Sequence, residues 1–406
     1  MTQISTAIPT DLLTPLAAYL RLREHGRGAF LLESVERGRL GRYSFVGSGS
    51  RLCYANEAEA LDVPVVGYAG YDYVARLEPT VPLPSDGPRL PESRFVVADT
   101  LVRFDHALGV ADVLAGDTSV LGEPATEPAP RSLVSAPTLR VPERDAYEAA
   151  VLRAQEEIRA GEAFQIVLSQ RAERSTDASP IELYRALRRV NPSPYLFLLE
   201  LDGLSLIGSS PETLVKVEGR RASVNPIAGT TEAGPGDAAR LLASEKDRAE
   251  HVMLVDLGRN DLSRVCRAGT VRVERFLEPE RFSHVTHLVS EVVGEPADGV
   301  RPFDVLRACF PAGTVSGAPK VRAMQLISEL EGYRRGAYAG AVGYALPDGT
   351  LDTCIAIRTI VLHDGVAHLQ AGAGIVADSD PRAEHEECLR KLAALEAAID
   401  LAEGAR

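Results

Sequence analysis

The spacing of apolar residues after residue 141 predicts both helices and strands. Apolar side chains that recur every three or four residues are typical of a helix packed on a core. Short apolar or alternating runs bounded by turn residues are typical of strands. The spacing predicts helices over residues 145–160, 181–190, 236–257, 303–309, 318–330 and 383–401. The shorter runs predict strands over residues 164–170, 195–201, 204–208, 214–217 and 271–276.

Two turn sequences near the end of the chain predict hairpins. Pro-Asp-Gly at 347–349 and His-Asp-Gly at 363–365 each lie between apolar runs, and Asp-Gly is a strong hairpin signal. Strands joined by hairpins, with helices in separate blocks, predict an α+β fold in which antiparallel β-sheets pack together and are covered by helices. Strands and helices do not alternate as they do in a dinucleotide-binding fold.

A stretch rich in Pro, Ala, Ser and Thr interrupts this pattern over residues 115–144. It has no apolar periodicity, so we predict a linker at 115–140. The linker separates an N-terminal segment, residues 1–114, from a larger segment, residues 141–406.

Composition excludes several classes of protein. The chain has 406 residues, 45% of them hydrophobic, and a net charge of −13. Without a basic cluster, this charge argues against binding nucleic acid. No apolar run approaches the roughly 20 residues that cross a bilayer, and the first residues lack the pattern of a secretory signal. Five widely spaced cysteines without a C-x-x-C motif predict reduced thiols in a cytoplasmic protein.

One carboxylate lies where the helical pattern requires an apolar residue. Glu250 shares a predicted helix face with Met253, Leu254 and Leu257. A buried carboxylate is unfavourable unless something charged meets it. A metal ion, a basic side chain or a substrate would serve, and so would a simple pairing with Lys246.

The last predicted helix carries a second carboxylate cluster. Glu384, Glu387 and Lys391 share a strip beside the apolar stripe of the helix. A solvated charge ladder explains the strip by itself. Two carboxylates from two helices would also suit Mg²⁺, which keeps several of its waters.

An arginine and two glycines are of the types that suit an anion-binding site. Alternation in LDTCIAIRTIVL places Arg358 on one face of a strand with Cys354, Ala356 and Ile360. A buried guanidinium needs a planar anion, which either a structural Asp or a substrate carboxylate provides. Gly372 and Gly374 leave backbone amides open to an anion, although tight strand packing also explains them.

Two further polar sites leave alternatives open. His287 lies in an alternating apolar run, where a lone histidine is more often a satisfied core residue than a catalyst. Thr314, Ser316 and Lys320 lie in a Gly- and Pro-rich turn before a helix, which could bind an anion at the helix N-terminus or serve as an ordinary cap.

Taken together, these motifs resemble those of the chorismate-utilising enzymes, and most closely the component I (synthase subunit) family of anthranilate synthases. The matching motifs occur in family order along the segment after the linker: IGSSPE (207–212), NPIAGT (225–230), SEKDRAEHVMLVDLGRND (244–261), THLVS (286–290), FPAGTVSGAPK (310–320), YAGAVGY (338–344), AIRT (356–359) and AGAGIV (371–376).

The resemblance implies a role for each matching residue. It implies that Glu250 and Glu387 bind Mg²⁺, which holds the ring carboxylate of chorismate near Lys391. It implies that Arg358 and Tyr338 hold the enolpyruvyl carboxylate, helped by the amides near Gly372 and Gly374. It further implies that Glu212 protonates the departing C4 hydroxyl, with Thr314 near the ring and His287 linked to the later loss of pyruvate.

The implied reaction is a Mg²⁺-dependent carbon–oxygen lyase step in tryptophan biosynthesis. Ammonia attacks chorismate, the C4 hydroxyl leaves, and pyruvate is lost as anthranilate forms. A general acid must keep its proton at neutral pH, so we predict that burial raises the pKa of Glu212. Ala228 occupies the position at which some relatives have a lysine nucleophile. Gln165 occupies the position at which relatives that use water have a lysine that activates it. Their identities favour ammonia.

The resemblance also implies an allosteric tryptophan site in LLES (31–34), GRYSFVG (41–47) and NPSPY (191–195). The matching positions are Glu33, Ser34, Pro194 and Tyr195. Leu196 replaces a methionine usual in the family, and the segment between Tyr54 and Val65 is shorter than usual.

The chain lacks the G-x-C-x-G motif of class I glutamine amidotransferases, so we expect ammonia from solution or from a separate glutaminase subunit. Two alternative functions stay open: a 2-amino-2-deoxyisochorismate synthase, which stops before pyruvate is lost, and a non-catalytic, tryptophan-sensing paralogue.

Overall fold

A computed structural model describes residues 8–34, 42–122, 136–281 and 285–404. The side chains of residues 230, 232 and 285 lie outside this description. The central part of the predicted linker, residues 123–135, also lies outside the described residues.

The described strands form two antiparallel sheets, one of 12 strands and one of 10. In chain order the strands are β1 (Ile8–Pro9), β2 (Gly28–Glu33), β3 (Tyr43–Gly49), β4 (Arg51–Cys53), β5 (Val65–Ala69), β6 (Ser93–Val97), β7 (Thr100–Asp105), β8 (Val110–Ala115), β9 (Leu139–Val141), β10 (Gln165–Ser175), β11 (Tyr195–Leu201), β12 (Leu204–Ser210), β13 (Thr213–Glu218), β14 (Arg221–Val224), β15 (Ile227–Glu232), β16 (Arg272–Arg281), β17 (Val285–Gly294), β18 (Gly317–Ala318), β19 (Ala341–Ala345), β20 (Leu351–Ile355), β21 (Thr359–His363) and β22 (Val366–Ile375).

The first sheet has the order β1-β8-β7-β3-β2-β11-β12-β21-β22-β10-β18, with β9 also paired to β10. The second has the order β15-β17-β14-β13-β20-β19-β5-β6-β4, with β16 also paired to β17. The predicted α+β class with antiparallel sheets is therefore confirmed.

Ten α-helices lie in the described part of the chain. They are α1 (Pro15–Leu22), α2 (Ala55–Ala58), α3 (Val74–Leu77), α4 (Arg144–Arg159), α5 (Pro180–Val190), α6 (Asp237–Ala243), α7 (Glu245–Ser263), α8 (Pro302–Cys309), α9 (Lys320–Glu331) and α10 (Pro381–Ala402). Short 3₁₀ turns occur at Arg23–His25, Tyr71–Tyr73, Ser119–Gly122 and Gly313–Val315. None of the described helices is long and apolar enough to cross a membrane.

The core consists of three layers of buried apolar side chains. One cluster lies between the sheets and joins Phe30 and Phe197 of the first to Tyr68 and Val342 of the second. A second lies under α1, α5 and α10 on the outer side of the first sheet. The third and largest joins residues of both sheets with α4 and α9, which contact β10 of the first sheet, and with α8, which contacts β13 of the second. The helices therefore cover the paired sheets, as predicted.

The N-terminal segment contributes strands to both sheets. Strands β2 and β3 continue the first sheet from β11, whereas β5 and β6 continue the second from β19. The linker at 115–140 is therefore a division along the chain, and both sheets contain strands from both of its sides.

Most predicted elements after the linker are present with small shifts of their ends, and both predicted hairpins are confirmed as β19–β20 and β21–β22. The single helix predicted over 236–257 is wrong, because it is split into α6 and α7. Ser244 between them has an extended backbone (φ −72, ψ 109), and its hydroxyl accepts a hydrogen bond from Asp247 N as the N-cap of α7.

The strand predicted through Arg358 is also wrong. The run divides into β20 in the second sheet and β21 in the first, and residues 356–358 cross between the sheets. Arg358 has φ 51, a left-handed conformation uncommon for residues other than glycine. Strand alternation therefore does not set the direction of its side chain.

The five cysteines are free thiols, and all but Cys266 are buried.

Candidate active site

A cavity of about 190 Å³ lies where β10 and β22 of the first sheet approach β15, α7 and α10. Almost all of the predicted catalytic, substrate-binding and metal-binding residues line it, although they come from distant parts of the chain. They are Glu212, Glu250, Thr314, Tyr338, Arg358, Gly372, Gly374, Glu387 and Lys391. His287 is not among its lining residues.

Glu212 is a partly buried acid on one wall of the cavity. It lies between β12 and β13, and its carbonyl accepts a hydrogen bond from Ile355 N at 3.0 Å. Burial raises the pKa of Glu212 to about 8, although the Thr314 hydroxyl and the Lys391 charge act in the opposite direction. Thr314 Oγ1 donates to Glu212 Oε1 at 2.9 Å. Glu212 therefore keeps a proton near neutral pH, as predicted from the sequence.

Arg358 supplies a positive charge that the protein does not neutralise by contact. In the described part of the chain, no hydrogen bond or ion pair engages its guanidinium. Burial lowers its pKa, and the nearby Tyr338 and Glu387 oppose this. A mostly buried guanidinium without a partner is unfavourable unless an anion binds it. The structural Asp left open by the sequence is not found among the described residues.

Glu250 on α7 and Glu387 on α10 both line the cavity. Burial raises the pKa of Glu250, and the negative charge of Glu387 adds to this shift. Gln165 Nε2 donates to Glu250 Oε1 at 3.2 Å, and Lys391 Nζ lies 2.6 Å from Glu387 Oε1. Lys246 acts on Glu250 through its charge, and the described residues show no ion pair between the two. The simple Lys246 pairing is therefore wrong.

These two carboxylates fit a divalent cation of the Mg²⁺ type. No group of three or more His, Cys, Asp or Glu residues is arranged for a metal among the described residues. Mg²⁺ keeps several waters and commonly uses only one or two protein carboxylates together with oxygens of its substrate. A cation would also relieve the repulsion between Glu250 and Glu387.

Gly372 and Gly374 lie on β22 opposite Ser169 and Val167 of β10. A Cβ at Gly374 would lie 2.2 Å from Gln165 Nε2, and one at Gly372 would lie 2.9 Å from Tyr338 Oη. Lys391 Nζ donates to the Gly372 carbonyl at 2.7 Å. Tight packing therefore accounts for both glycines, and anion binding by their amides stays a prediction.

His287 lies on β17, beside the cavity. Its Nδ1 is 2.9 Å from the Gly229 carbonyl, a geometry in which Nδ1–H donates. Burial and the positive charge of Arg358 lower its pKa, although the hydrogen bond to Gly229 opposes them, and the lowered pKa favours the neutral ring. The structure thus places His287 near Arg358 but does not bring it into the cavity wall.

Lys320, in the turn for which an anion site or an ordinary helix cap was left open, is engaged inside the protein. Lys320 Nζ lies 2.7 Å from Asp261 Oδ2 and 3.1 Å from the Cys309 carbonyl. It is also absent from the residues that line the cavity. The ammonium group is therefore occupied by a partner within the protein.

Sequence reasoning missed a buried ion pair behind the cavity. Arg335 Nη2 lies 2.6 Å from Glu331 Oε1, with the two side chains 1% and 3% exposed. Arg335 also donates to the carbonyls of Val315 and Val167, which both line the cavity. Residues 332–337 follow no helical or strand period, so the pattern gave no signal for this pair.

A second cavity of about 430 Å³ lies between the two sheets. All four residues predicted for an allosteric site line it: Glu33, Ser34, Pro194 and Tyr195. Glu33 accepts a hydrogen bond from Tyr184 and is 3.4 Å from Arg188. Tyr195 Oη is 2.8 Å from Thr213 Oγ1 and donates to Asp352 Oδ1 at 3.2 Å. Thr213 directly follows Glu212, so this hydrogen bond leads toward the first cavity.

Known proteins share this sequence and architecture. The profile of the family described as chorismate binding enzymes matches residues 36–397. A probable anthranilate synthase component 1 from Schizosaccharomyces pombe is 44% identical over 97% of this chain and 92% of its own length. Anthranilate synthase component 1 from Thermus thermophilus is 43% identical over 97% of this chain and 96% of its own length.

Solved structures agree. Anthranilate synthase component I from Streptococcus pneumoniae superimposes with a TM-score of 0.79 at 33% identity, over 96% of this chain and 98% of that one. The menaquinone-specific isochorismate synthase of Escherichia coli superimposes with a TM-score of 0.77 at 21% identity, over 98% of this chain and 96% of that one. At that identity the second likeness supports the fold alone.

Proposed function

Because the chain belongs to the family of chorismate binding enzymes, together with the component I proteins of anthranilate synthase, we propose that it is an anthranilate synthase subunit. It would convert chorismate and ammonia to anthranilate and pyruvate. The observation that carries this proposal is the pairing, in one cavity, of an unneutralised Arg358 with a protonated Glu212. A dicarboxylate that loses a hydroxyl needs both groups.

The positive charges of the site suit a dianionic substrate. In a chain of net charge −13 they must be concentrated locally. Arg358 would bind one carboxylate through two parallel hydrogen bonds. The Tyr338 hydroxyl lies close enough to the Arg358 guanidinium for the positive charge to affect the pKa of Tyr338. Lys391 would lie near the second carboxylate, beside Glu387. These contacts orient the ring with the C4 hydroxyl toward Glu212.

Glu212 acts as the general acid. Since burial holds its pKa at about 8, the carboxyl group is mostly protonated at pH 7 and can give a proton to the departing hydroxyl. Thr314 donates to Oε1, which fixes the orientation of the carboxyl and stabilises the carboxylate formed when the proton leaves.

Glu250 and Glu387 are the residues that would hold Mg²⁺. Bound there, the ion would neutralise and orient a substrate carboxylate. Gln165 keeps Glu250 turned toward the cavity through its hydrogen bond to Oε1.

The nucleophile is ammonia rather than water or lysine. Ala228 and Gln165 both line the cavity. Ala228 takes the place of a lysine that would attack directly, and Gln165 takes the place of a lysine that would activate water. Neither side chain is a base, and ammonia needs none before it attacks. The ammonia would come from solution or from a separate glutaminase subunit, and tryptophan bound in the second cavity would inhibit the reaction.

The test is incubation of the purified chain with chorismate, ammonium and Mg²⁺, followed by anthranilate fluorescence and a separate assay for pyruvate. Glu250→Gln and Glu387→Gln should each lower the rate by at least about 10²-fold. Glu386→Gln is the matched control, because Glu386 neighbours Glu387 but pairs with Arg382 outside the cavity. It should keep full activity.

Three outcomes would count against the proposal. A product with the mass of 2-amino-2-deoxyisochorismate, without pyruvate, would assign the shortened reaction; the position of His287 outside the cavity wall keeps this alternative in view. Binding of tryptophan with no turnover would indicate a sensor. Full activity of both glutamine variants would remove them from the metal site.

A further inference from the structure

A small cavity adjoins the substrate cavity at Glu212. It has a volume of about 40 Å³, and we call it the rear cavity. Glu212, Thr314 and Leu254 line both cavities, whereas Arg358, Glu250 and Glu387 line only the substrate cavity. The acid is therefore part of the wall that separates two spaces.

The rear cavity is large enough for water and is partly polar. A water needs roughly 10–15 Å³ of such volume and two or more polar partners, so there is room for about two waters. Thr213 and Asn225 line it together with the two polar residues of the shared wall. Leu257 and Ala312 also line it and are partly exposed, as is Asn225. The rear cavity thus extends from Glu212 toward the protein surface.

Asp261 is a second carboxyl group on this wall. Its Oδ2 is 2.7 Å from Lys320 Nζ, and both side chains are about nine-tenths buried. Lys320 is fixed in turn by the Cys309 carbonyl. Burial raises the pKa of Asp261, and Lys320 opposes this shift. The proposed reaction uses neither residue.

The proposed reaction requires a proton to return to Glu212. Each turnover moves one proton from Glu212 to the C4 hydroxyl, which leaves as water. The attacking ammonia becomes an ammonium group and releases one proton, so the overall count balances. Glu212 is nevertheless left as a carboxylate in a partly buried position, and substrate or product fills the cavity in front of it.

We propose that water in the rear cavity returns the proton to Glu212, and that Asp261, fixed by Lys320, relays it from solvent. This inference rests on the proposed function. Asp261 is the only carboxyl group other than Glu212 among the described residues that line the rear cavity. It touches no substrate and would act only between turnovers.

Steady-state kinetics of Asp261→Asn with chorismate and ammonia test the proposal. The value of kcat/KM reports the reaction of free enzyme that has already regained its proton, whereas kcat includes the recovery step. We expect kcat to fall by about 10-fold or more and kcat/KM for chorismate to stay within about 2-fold. The solvent deuterium isotope effect on kcat should increase. The matched control is Asp256→Asn, an exposed position on the same helix paired with Arg259, which should change neither constant.

A second variant keeps the ion pair and narrows the water path. Ala312→Val places two more carbons beside the rear cavity while leaving Asp261 and Lys320 in place, and it should also lower kcat alone. An equal fall of kcat and kcat/KM in the variants would indicate a displaced Glu212 and overturn the relay. Unchanged kcat in both would overturn it as well. If the parent chain makes no anthranilate, the proposed function fails instead, so the two failures are distinct.

Discussion

At the scale of single residues, the site is organised by what burial does to two groups. Glu212 is held neutral by desolvation, whereas Arg358 keeps its charge because guanidinium ionises so strongly that burial cannot remove its proton. One group can donate a proton and the other can bind an anion at the same pH. A solvent-exposed carboxyl would be ionised at pH 7 and could not act as the acid.

This arrangement predicts the pH dependence of the reaction. The protonated form of Glu212 is the active one, so kcat/KM for chorismate should fall as pH rises through about 8. Thr314→Val removes a hydrogen bond that favours the ionised form. The pKa of Glu212 should therefore rise further, and the falling limb should move to higher pH.

The measurement needs a fixed concentration of free ammonia, because ammonium itself loses a proton as pH rises. Thr80→Val is a suitable control, since Thr80 is exposed and remote from the cavity. A limb that stays in place in Thr314→Val, or that moves to lower pH, would contradict this assignment of the acid.

Residue identity was easier to predict than residue geometry. Glu250 was notable in the sequence because it interrupts an apolar helix face, and in the structure it lines the same cavity as Glu387. Arg358 was notable for a similar reason, but alternation placed it on a strand. Its positive φ between two sheets depends on tertiary contacts that no local period encodes.

At the scale of elements, β10 and β22 form the floor of the site. Their register sets Gly374 opposite Val167, and the Gln165 side chain packs over the glycine. The predicted strand over 164–170 identified β10, whereas β22 followed only from the hairpin turn at 363–365. The close approach of the two strands could not be predicted, because a G-x-G sequence fits many structures.

Gly374→Ala tests this floor. The new methyl group would lie 2.2 Å from Gln165 Nε2, so the amide must move and release Glu250. A displacement of about 1 Å at a catalytic site can lower the rate about 10²-fold, and we expect kcat/KM for chorismate to fall by that order.

The matched control is Gly234→Ala, where a Cβ would meet nothing within 4 Å and the backbone φ is not positive. It should leave the kinetics unchanged. Melting temperatures of both variants within a few degrees of the parent would show that the loss arises in the site. Equal activity of the two variants would refute the packing argument.

At the scale of the whole molecule, the sheets connect the two cavities. Strand β20 carries Asp352 and Cys354 beside the second cavity, and the chain then reaches Ile357 and Arg358 in the first. The hydrogen bond between Tyr195 and Thr213 makes a second connection, next to Glu212. The linker pattern suggested two separable segments. It could not reveal that strands from both would share each sheet, because strand pairing over such distances leaves no local trace.

These connections predict how tryptophan acts. The chain contains no tryptophan residue, so indole fluorescence arises only from the added ligand, and a change in its emission reports binding. Added tryptophan should bind, raise the melting temperature, and inhibit anthranilate formation. At 100 times its Kd it should stabilise the protein by about 2.7 kcal/mol. Tyr195→Ala, which removes part of the cavity wall, should weaken binding measured by the change in indole emission.

Thr213→Val separates binding from inhibition, because Thr213 does not line the second cavity but bonds to Tyr195, which does. This variant should bind tryptophan as the parent does, since the wall of the cavity is intact. Its inhibition at saturating tryptophan should be weaker, because the hydrogen bond that leads to Glu212 is gone. If inhibition stays complete while binding is unchanged, the signal must travel through β20 and Arg358 instead. In that case tryptophan would act on substrate binding, seen as a rise in KM, and would leave the Glu212 limb of the pH profile in place.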